Sequence, residues 1–426
     1  MLALIAILFT VLMVIGVPVA FALAASAIPV FTLTNTMPPT ILIQKMVAAT
    51  QNFPLLAVPF FILAGNLMNE TGITTRLIAF SRLLAGWMTG GLAQVSVVLS
   101  LLMGGISGSA VADASMESRV IGPSMIRQGY SREITAVILA FSSIITATVP
   151  PAIGLILFGF INEVSIGRLF LGGVVPGILL TAILMVTCWI VARRRGYRPD
   201  ADRLPTAREL GRGFIDSIWS LMFPVILIVG FRFGIFTATE AGVFLVFYAM
   251  IIGFFIYREL TFARVYEAFR ASVGDLGMIM MLIMMAAVLG YAMTIERVPQ
   301  QITEFVTTIT TDPLGIMLLV IALLVVTGMF LEGAANILLI TPIVMPVLVS
   351  AGFDPVHLGI IMVSLINFGG LTPPVGVIMF TVCGILNVKT AAYTYASIPF
   401  LIAMAVFFAL LIAFPGLSVW LPDALM

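Results

Sequence analysis

The chain has 426 residues, 61% of them apolar and 9% charged, with a mean hydropathy of +1.21. Soluble domains carry about 25% charged residues, so this chain has too little polar surface to face water, and a formal net charge of +1 removes the electrostatic case for nucleic acid. The two cysteines, Cys188 and Cys383, lie inside apolar runs without CxxC spacing, which predicts small buried residues rather than a disulfide or a thiolate metal site.

A hydrocarbon core of about 30 Å takes roughly 20 apolar residues of helix. By that ruler the predicted spans are 2–33, 42–68, 92–126, 133–160, 168–192, 215–235, 238–257, 273–293, 314–350, 356–387 and 394–421. The run from Met1 to Ala25 has no basic n-region and reads as a retained span. Segments 92–126 and 314–350 are long enough to enter and return, and each has a polar, small-residue centre, so both are predicted to be re-entrant hairpins. The fold class is therefore an all-α polytopic membrane protein.

With the hairpins returning to their own side, parity numbers the two faces. The arginine-rich stretch from Arg193 to Arg212 is taken as cytoplasmic, which puts 16 of the 20 Lys and Arg residues on that side and leaves Lys45, Arg168, Arg232 and Arg297 near the other. The N-terminus is then cytoplasmic and the C-terminus on the outer side. Stretches 70–88 and 258–271 mix arginines with apolar residues and read as amphipathic arms in the interface plane, with their basic side on lipid headgroups.

Sliding the chain on itself by 223 residues aligns 105–151 with 328–374 without a gap. The identities are Gly105/Gly328, Ala112/Ala335, Pro123/Pro346, Gly129/Gly352, Ile138/Ile361, Pro150/Pro373 and Pro151/Pro374. Six of these seven are Gly, Pro or Ala, the residue types whose identity backbone geometry constrains most. By parity the two copies are antiparallel, and inverted repeats with interrupted helices mark secondary transporters, whose sites lie near the midplane at the repeat interface.

Each copy has two breaks: the hairpin centres around Ser107 and Glu332, and the double prolines at Pro150-Pro151 and Pro373-Pro374. A proline pair removes two N–H donors and frees carbonyls upstream; backbone unpaired at membrane depth is tolerated only where it is buried or lines a cavity. Freed carbonyls with the hydroxyls of Ser107, Ser109, Thr146 and Thr372 are hard oxygen ligands of the kind a dehydrated sodium ion accepts. The half-helices after the breaks present N–H groups suited to an anionic solute group. Acidic residues in apolar stretches are costly and point to function, which singles out Asp113, Glu117 and Glu332; Glu240 opens a helix and is predicted to cap it.

These residues resemble the large membrane subunit of tripartite ATP-independent periplasmic (TRAP) transporters. The resemblance runs through GVPVAF from Gly16, NFPLLAVPFFILAGNLMNETG from Asn52, the GGISGSAVADA hairpin, ATVPP, GIFTATEAG and GGLTPPVG, with Ala238 standing where the family tends to have proline. It implies an elevator-type, sodium-coupled importer in the bacterial inner membrane, not an enzyme, with a small four-helix membrane subunit and a periplasmic substrate-binding protein as partners. The layout it implies is scaffold helices and arm over 1–91, a transport-domain repeat over 92–167, scaffold over 168–313 with loop 193–214 and arm 258–271, a second transport-domain repeat over 314–390, and a C-terminal helix over 391–426. Carried over by motif position, one sodium site uses Ser107, Ser109, Thr146, Val149 and Pro151, and the other Gly328, Gly369, Thr372 and Val375. Substrate contact is expected at Ser109, Gly154, Glu332 and Asn336.

Two other readings compete. An intramembrane serine protease would use Ser107, in the G-x-S-G run from Gly105, with His357 as base, yet parity puts His357 outside and Ser107 in a hairpin entered from the cytoplasm; the lone histidine reads instead as a solvated residue at a helix start. A stand-alone sodium-coupled anion carrier would lack the binding protein. Dicarboxylates, sugar acids, sulfonates and zwitterionic osmolytes all suit a site with few fixed charges.

Overall fold

A computed structural model describes residues 2–33, 38, 40–51 and 53–426; Asn52, which opens one of the motifs above, lies outside the described residues. Every regular element among them is helical, as lipid demands of a chain whose backbone must satisfy itself. The first elements are α1 (Leu2–Val14), α2 (Val19–Leu33), α3 (Thr40–Thr50), α4 (Ala57–Glu70) and α5 (Ile73–Ala85). The first hairpin is α6 (Gly91–Gly104) and α7 (Ala110–Val120), followed by the short α8 (Gly122–Arg127). The first broken helix is α9 (Arg132–Thr148) with α10 (Ile153–Ile161), bent by 46°.

Four long helices come next: α11 (Ile166–Arg195), α12 (Ala207–Arg232), α13 (Ala238–Ile251) with a π-helical turn to Ile256, and α14 (Phe262–Ile295). After α15 (Val298–Ile309) come the second hairpin, α16 (Pro313–Phe330) and α17 (Gly333–Ser350), and the second broken helix, α18 (Pro355–Gly369) and α19 (Val377–Leu386). The chain closes with α20 (Thr390–Ala413) and α21 (Gly416–Leu425). Among the described residues, seven helices are long and apolar enough to cross a membrane, and the bent α9–α10 pair makes an eighth span.

The repeat is present in the backbone. Ser109 and Glu332, 223 apart, are both N-caps, as are Ser131 and Asp354. Gly129 and Gly352 have φ of +91° and +93°, and both Pro150–Pro151 and Pro373–Pro374 are cis. The copies differ at the matched prolines: Gly122-Pro123 ends α7 and starts α8, whereas Pro346 lies within the continuous α17.

The broken helices form the core. Every residue of α9 from Ile134 to Thr148 is buried, and so is every residue of α18 from Val356 to Ile366. Around α9 pack α6, α7, α11 and α20. On the other side α14 is a spine for α2, α3 and α4, and α13 packs along α4.

Several predicted elements are corrected. The span 2–33 is two helices packed on each other and broken at Gly16, where φ is +84°. At 13 and 15 residues, with about 1.5 Å rise per residue, each is shorter than a bilayer, so a parity count run through 2–33 as one crossing does not carry to the N-terminus. The span 42–68 is likewise α3 and α4, and 394–421 is α20 and the separate α21. Stretch 258–271 is no separate arm: from Phe262 it continues into the 34-residue α14. Stretch 70–88 does hold its own helix, α5, introduced by Gly72 at φ +74°. The loop after α11 is docked on the first hairpin's approach: Asp200 N donates to Gly86 O at 2.8 Å and Tyr197 stacks on Tyr130 with ring centroids 4.0 Å apart.

Candidate functional site

Each hairpin tip rests on the break of its own repeat. In the first copy Ile153 N donates to Gly108 O at 3.2 Å, and Gly108 has φ +60° with no room for a side chain, since a Cβ would lie 3.2 Å from Ala152 Cα and closer still to Pro151 O. In the second, a Cβ on Gly328 would lie 2.7 Å from Ile366 O and 3.0 Å from Gly369 Cα, so the two backbones meet directly, the close approach small residues allow in membrane packing.

The proline pairs leave different consequences. Pro150 and Pro151 stand where Thr146 O and Ala147 O would find helical donors, and no other backbone N–H among the described residues bonds either carbonyl. In the second copy the matching carbonyls are taken: Gly369 O accepts from Thr372 N at 2.9 Å, and Gly370 O from Ile378 N at 2.9 Å.

Between the tips lies a cavity of about 370 Å³. Ser107, Ser109, Ala147 and Gly154 line it from the first repeat, and Glu332, Asn367 and Gly370 from the second. Its remaining wall comes from α4 and α14, through Asn66, Asn69 and Asp275. Asn66 Nδ2 donates to Ser272 Oγ at 3.0 Å and to Asp275 Oδ2 at 3.4 Å, tying α4 to α14 at the cavity edge. Glu332 Oε2 accepts from Ala334 N at 2.9 Å and Ala335 N at 3.3 Å, so this carboxylate occupies the N-terminus of α17.

Behind the first tip is a buried polar cluster. Asp113 Oδ2 accepts from Thr146 Oγ1 at 2.7 Å and from Ser100 Oγ at 2.9 Å; Ser100 Oγ also reaches Glu117 Oε1 at 3.0 Å, and Glu117 Oε2 is met by Ser96 and by Ser142 Oγ at 3.3 Å. Asp113 Oδ1 is buried without a partner. Asp113 and Glu117 thus bind α7 to α6 and α9.

Of the residues carried over for the first ion, Ser107 and Ser109 line the cavity, Pro151 backs onto Gly108 and Val149 packs against Gly104. The Thr146 hydroxyl is committed to Asp113 and to Ser100 O, at 2.9 Å, which leaves its carbonyl as the group facing the break. For the second ion, Gly328 and Gly369 touch, Thr372 Oγ1 donates to Phe368 O at 2.7 Å, and Val375 is 37% exposed. Of the expected substrate contacts, Ser109, Gly154 and Glu332 are on the cavity wall. Asn336 is off it, fully buried, with Oδ1 accepting from Thr327 Oγ1 at 3.1 Å.

His357 is buried rather than solvated, and neither ring nitrogen has a partner, so Ser107 has no histidine base. Glu240 caps α13 as predicted, accepting from Thr237 N at 2.8 Å. Both cysteines are free and buried. Sequence reading did not assign Asn66, Asn69, Ala147 or Asp275 to the site, although each carried a local signal: Asp275, Asn66 and Asn69 are polar residues in or beside apolar stretches, and Ala147 stands four residues before Pro151, which removes the donor to its carbonyl.

The sequence profile described as "Tripartite ATP-independent periplasmic transporter, DctM component" matches residues 6–417. The chain belongs to the DctM family. It is thus a multi-pass component of a tripartite, ATP-independent transporter and not an enzyme. This DctM-family chain is 36% identical to the sialic acid TRAP transporter large permease protein SiaM of Vibrio cholerae, over 96% of this chain and 95% of the relative. It is 34% identical to the isethionate TRAP transporter permease protein DctMQ of Oleidesulfovibrio alaskensis, over 93% of this chain and 62% of that longer protein. Its fold is similar to that of the Alcanivorax borkumensis YdaH transporter, with a TM-score of 0.62 at 14% identity over 96% of this chain and 98% of the other.

Proposed function

We propose that this DctM-family chain is the solute-carrying subunit of a sodium-driven importer in the bacterial inner membrane. A small membrane subunit and a periplasmic binding protein complete the tripartite assembly. The solute is a small organic molecule bearing a carboxylate or similar group, in keeping with the sialic acid and isethionate of the relatives' names.

The observation that carries this reading is that two inverted copies each press a hairpin tip onto a broken helix, and one cavity opens between the tips against α4 and α14. The carbonyls of Thr146 and Ala147, freed by the proline pair, and the hydroxyls of Ser107 and Ser109 would supply oxygen ligands of the kind a sodium ion takes, with Val149, Pro151, Gly328, Gly369, Thr372 and Val375 completing the two sets. Ion binding fixes each tip on its break. The repeats then move as one body against the scaffold, an elevator step that exposes the cavity to either side. The arginine-rich loop 193–214 faces the cytoplasm in this arrangement.

The test is uptake into proteoliposomes holding this chain and its small partner, with and without the binding protein, under an inward sodium gradient. Uptake that needs both is the expected result; uptake with sodium alone would place the chain among stand-alone carriers, and uptake indifferent to sodium would remove the ion sites.

A further inference from the structure

Asp113 and Asn336 hold the same position in the two repeats, 223 residues apart and four residues past the caps Ser109 and Glu332. Both side chains are buried, and each has one polar atom with no hydrogen-bond partner among the described residues: Asp113 Oδ1 and Asn336 Nδ2. Buried polar side-chain atoms are rarely left so, and here it happens at matched positions of both copies.

The other atom of each side chain is held differently. Asp113 Oδ2 accepts from Thr146 Oγ1 at 2.7 Å and from Ser100 Oγ at 2.9 Å. By the same shift of 223 residues the second copy has Gly369 for Thr146 and Leu323 for Ser100, so neither hydroxyl is there. Asn336 Oδ1 is met instead by Thr327 Oγ1 at 3.1 Å, from the residue before Gly328 at its contact with Gly369.

Thr327 Oγ1 has one hydrogen and two acceptors within reach, Asn336 Oδ1 at 3.1 Å and Leu324 O at 3.3 Å. A half-turn of the Asn336 amide serves both. Asn336 Nδ2 then donates to Thr327 Oγ1, Thr327 Oγ1 donates to Leu324 O, and Asn336 Oδ1 takes the unpartnered place. Both repeats then present a buried side-chain oxygen with no donor on it, and amide, carboxylate and backbone carbonyl oxygens are the ligands of hard cations. The second break is short of such oxygens. Gly369 O and Gly370 O accept from Thr372 N and Ile378 N, and Thr372 Oγ1 is turned to Phe368 O.

We propose that Asn336, with its amide so turned, supplies a side-chain oxygen to the sodium ion of the second tip. This rests on the sodium-driven reading above, and it moves Asn336 from the solute, whose cavity it does not line, to the coupling ion.

The test is thermal stabilisation of the purified chain with its small subunit by sodium chloride, exchanged for choline chloride at constant ionic strength and without solute. Asn336→Leu keeps the shape and removes the oxygen, and the sodium concentration for half of the shift is expected to rise about tenfold or more. Its melting temperature in choline alone should stay level or rise, because an apolar side chain replaces an unsatisfied buried one. An amide with a merely structural role would give the reverse, a lower melting temperature in choline and an unchanged sodium half-point, and that result overturns the proposal. Asn336→Asp keeps the test decisive should the leucine variant fail to fold. A carboxylate there should lower the melting temperature in choline and enlarge the shift that sodium gives; an unchanged shift overturns the proposal. If sodium does not stabilise the parent chain at all, the sodium reading falls and takes this proposal with it, whereas a parent and a leucine variant that respond alike remove Asn336 alone.

Discussion

Ser109 and Glu332 hold the same position in the two repeats and cap the two return helices of the hairpins, one with a hydroxyl and the other with a carboxylate. The pair makes the two tips geometrically alike and electrically different. Glu332 takes two N–H groups at 2.9 and 3.3 Å, whereas Ser109 takes one at 3.4 Å.

Glu332→Ala is accordingly expected to cost about 1 kcal/mol of stability through the lost cap, and Ser109→Ala less. Thermal melting of the two purified variants checks the order. Equal losses would show that the Glu332 carboxylate contributes no more as a cap than the Ser109 hydroxyl does.

Gly328→Ala and Gly369→Ala place a Cβ within 3 Å of facing backbone atoms, which cannot swing away as a side-chain end can. Each is expected to lift the second tip from its break and reduce uptake by about tenfold or more, a loss of about 1.4 kcal/mol in the competent state. Gly384→Ala is the control, with nothing within 4 Å of its added Cβ, and should transport normally at equal expression.

Ser100 joins Asp113 Oδ2 and Glu117 Oε1 at 2.9 and 3.0 Å in a fully buried cluster. Removing its hydroxyl in Ser100→Ala strips a donor from two buried carboxylates and is expected to destabilise by about 1–3 kcal/mol. A lowered melting temperature with unchanged solute affinity is the expected signature; a solute-binding defect without loss of stability would move this cluster into the transport site.

The sodium reading predicts a separable phenotype. Ser107→Ala with Thr372→Ala should raise the sodium concentration for half-maximal uptake, while Thr146→Val, which removes a donor to Asp113 at 2.7 Å, should chiefly lower stability. If the double variant kept the sodium response of the parent chain, the hydroxyls would not be ligands.

Much of the architecture was legible because membrane helices are interrupted only by specific residues. Gly105, Gly129 and Pro150-Pro151, repeated 223 positions later, locate both tips and both breaks, and the structure puts caps, left-handed glycines and proline pairs in the same register. The Gly16 break was missed because hydropathy continues unbroken on both sides of Gly16-Val17-Pro18, although a glycine with a proline two residues on is a breaker signal, and α14 was read short because its first residues look amphipathic in isolation.

The sequence by itself determined that the chain spans a membrane, that it is an inverted repeat and that each copy has a hairpin tip and a broken helix, since hydropathy and backbone restrictions are local properties. Only the tertiary structure decided what the tips face. Asn66 and Asp275, 209 positions apart, meet at the cavity edge because α4 packs on α14, and Asn336 and His357 are buried on α17 and α18, which pack on α10 and α11. Such placements follow from which helix faces pack together, and no residue pattern within one helix encodes the partner it will meet.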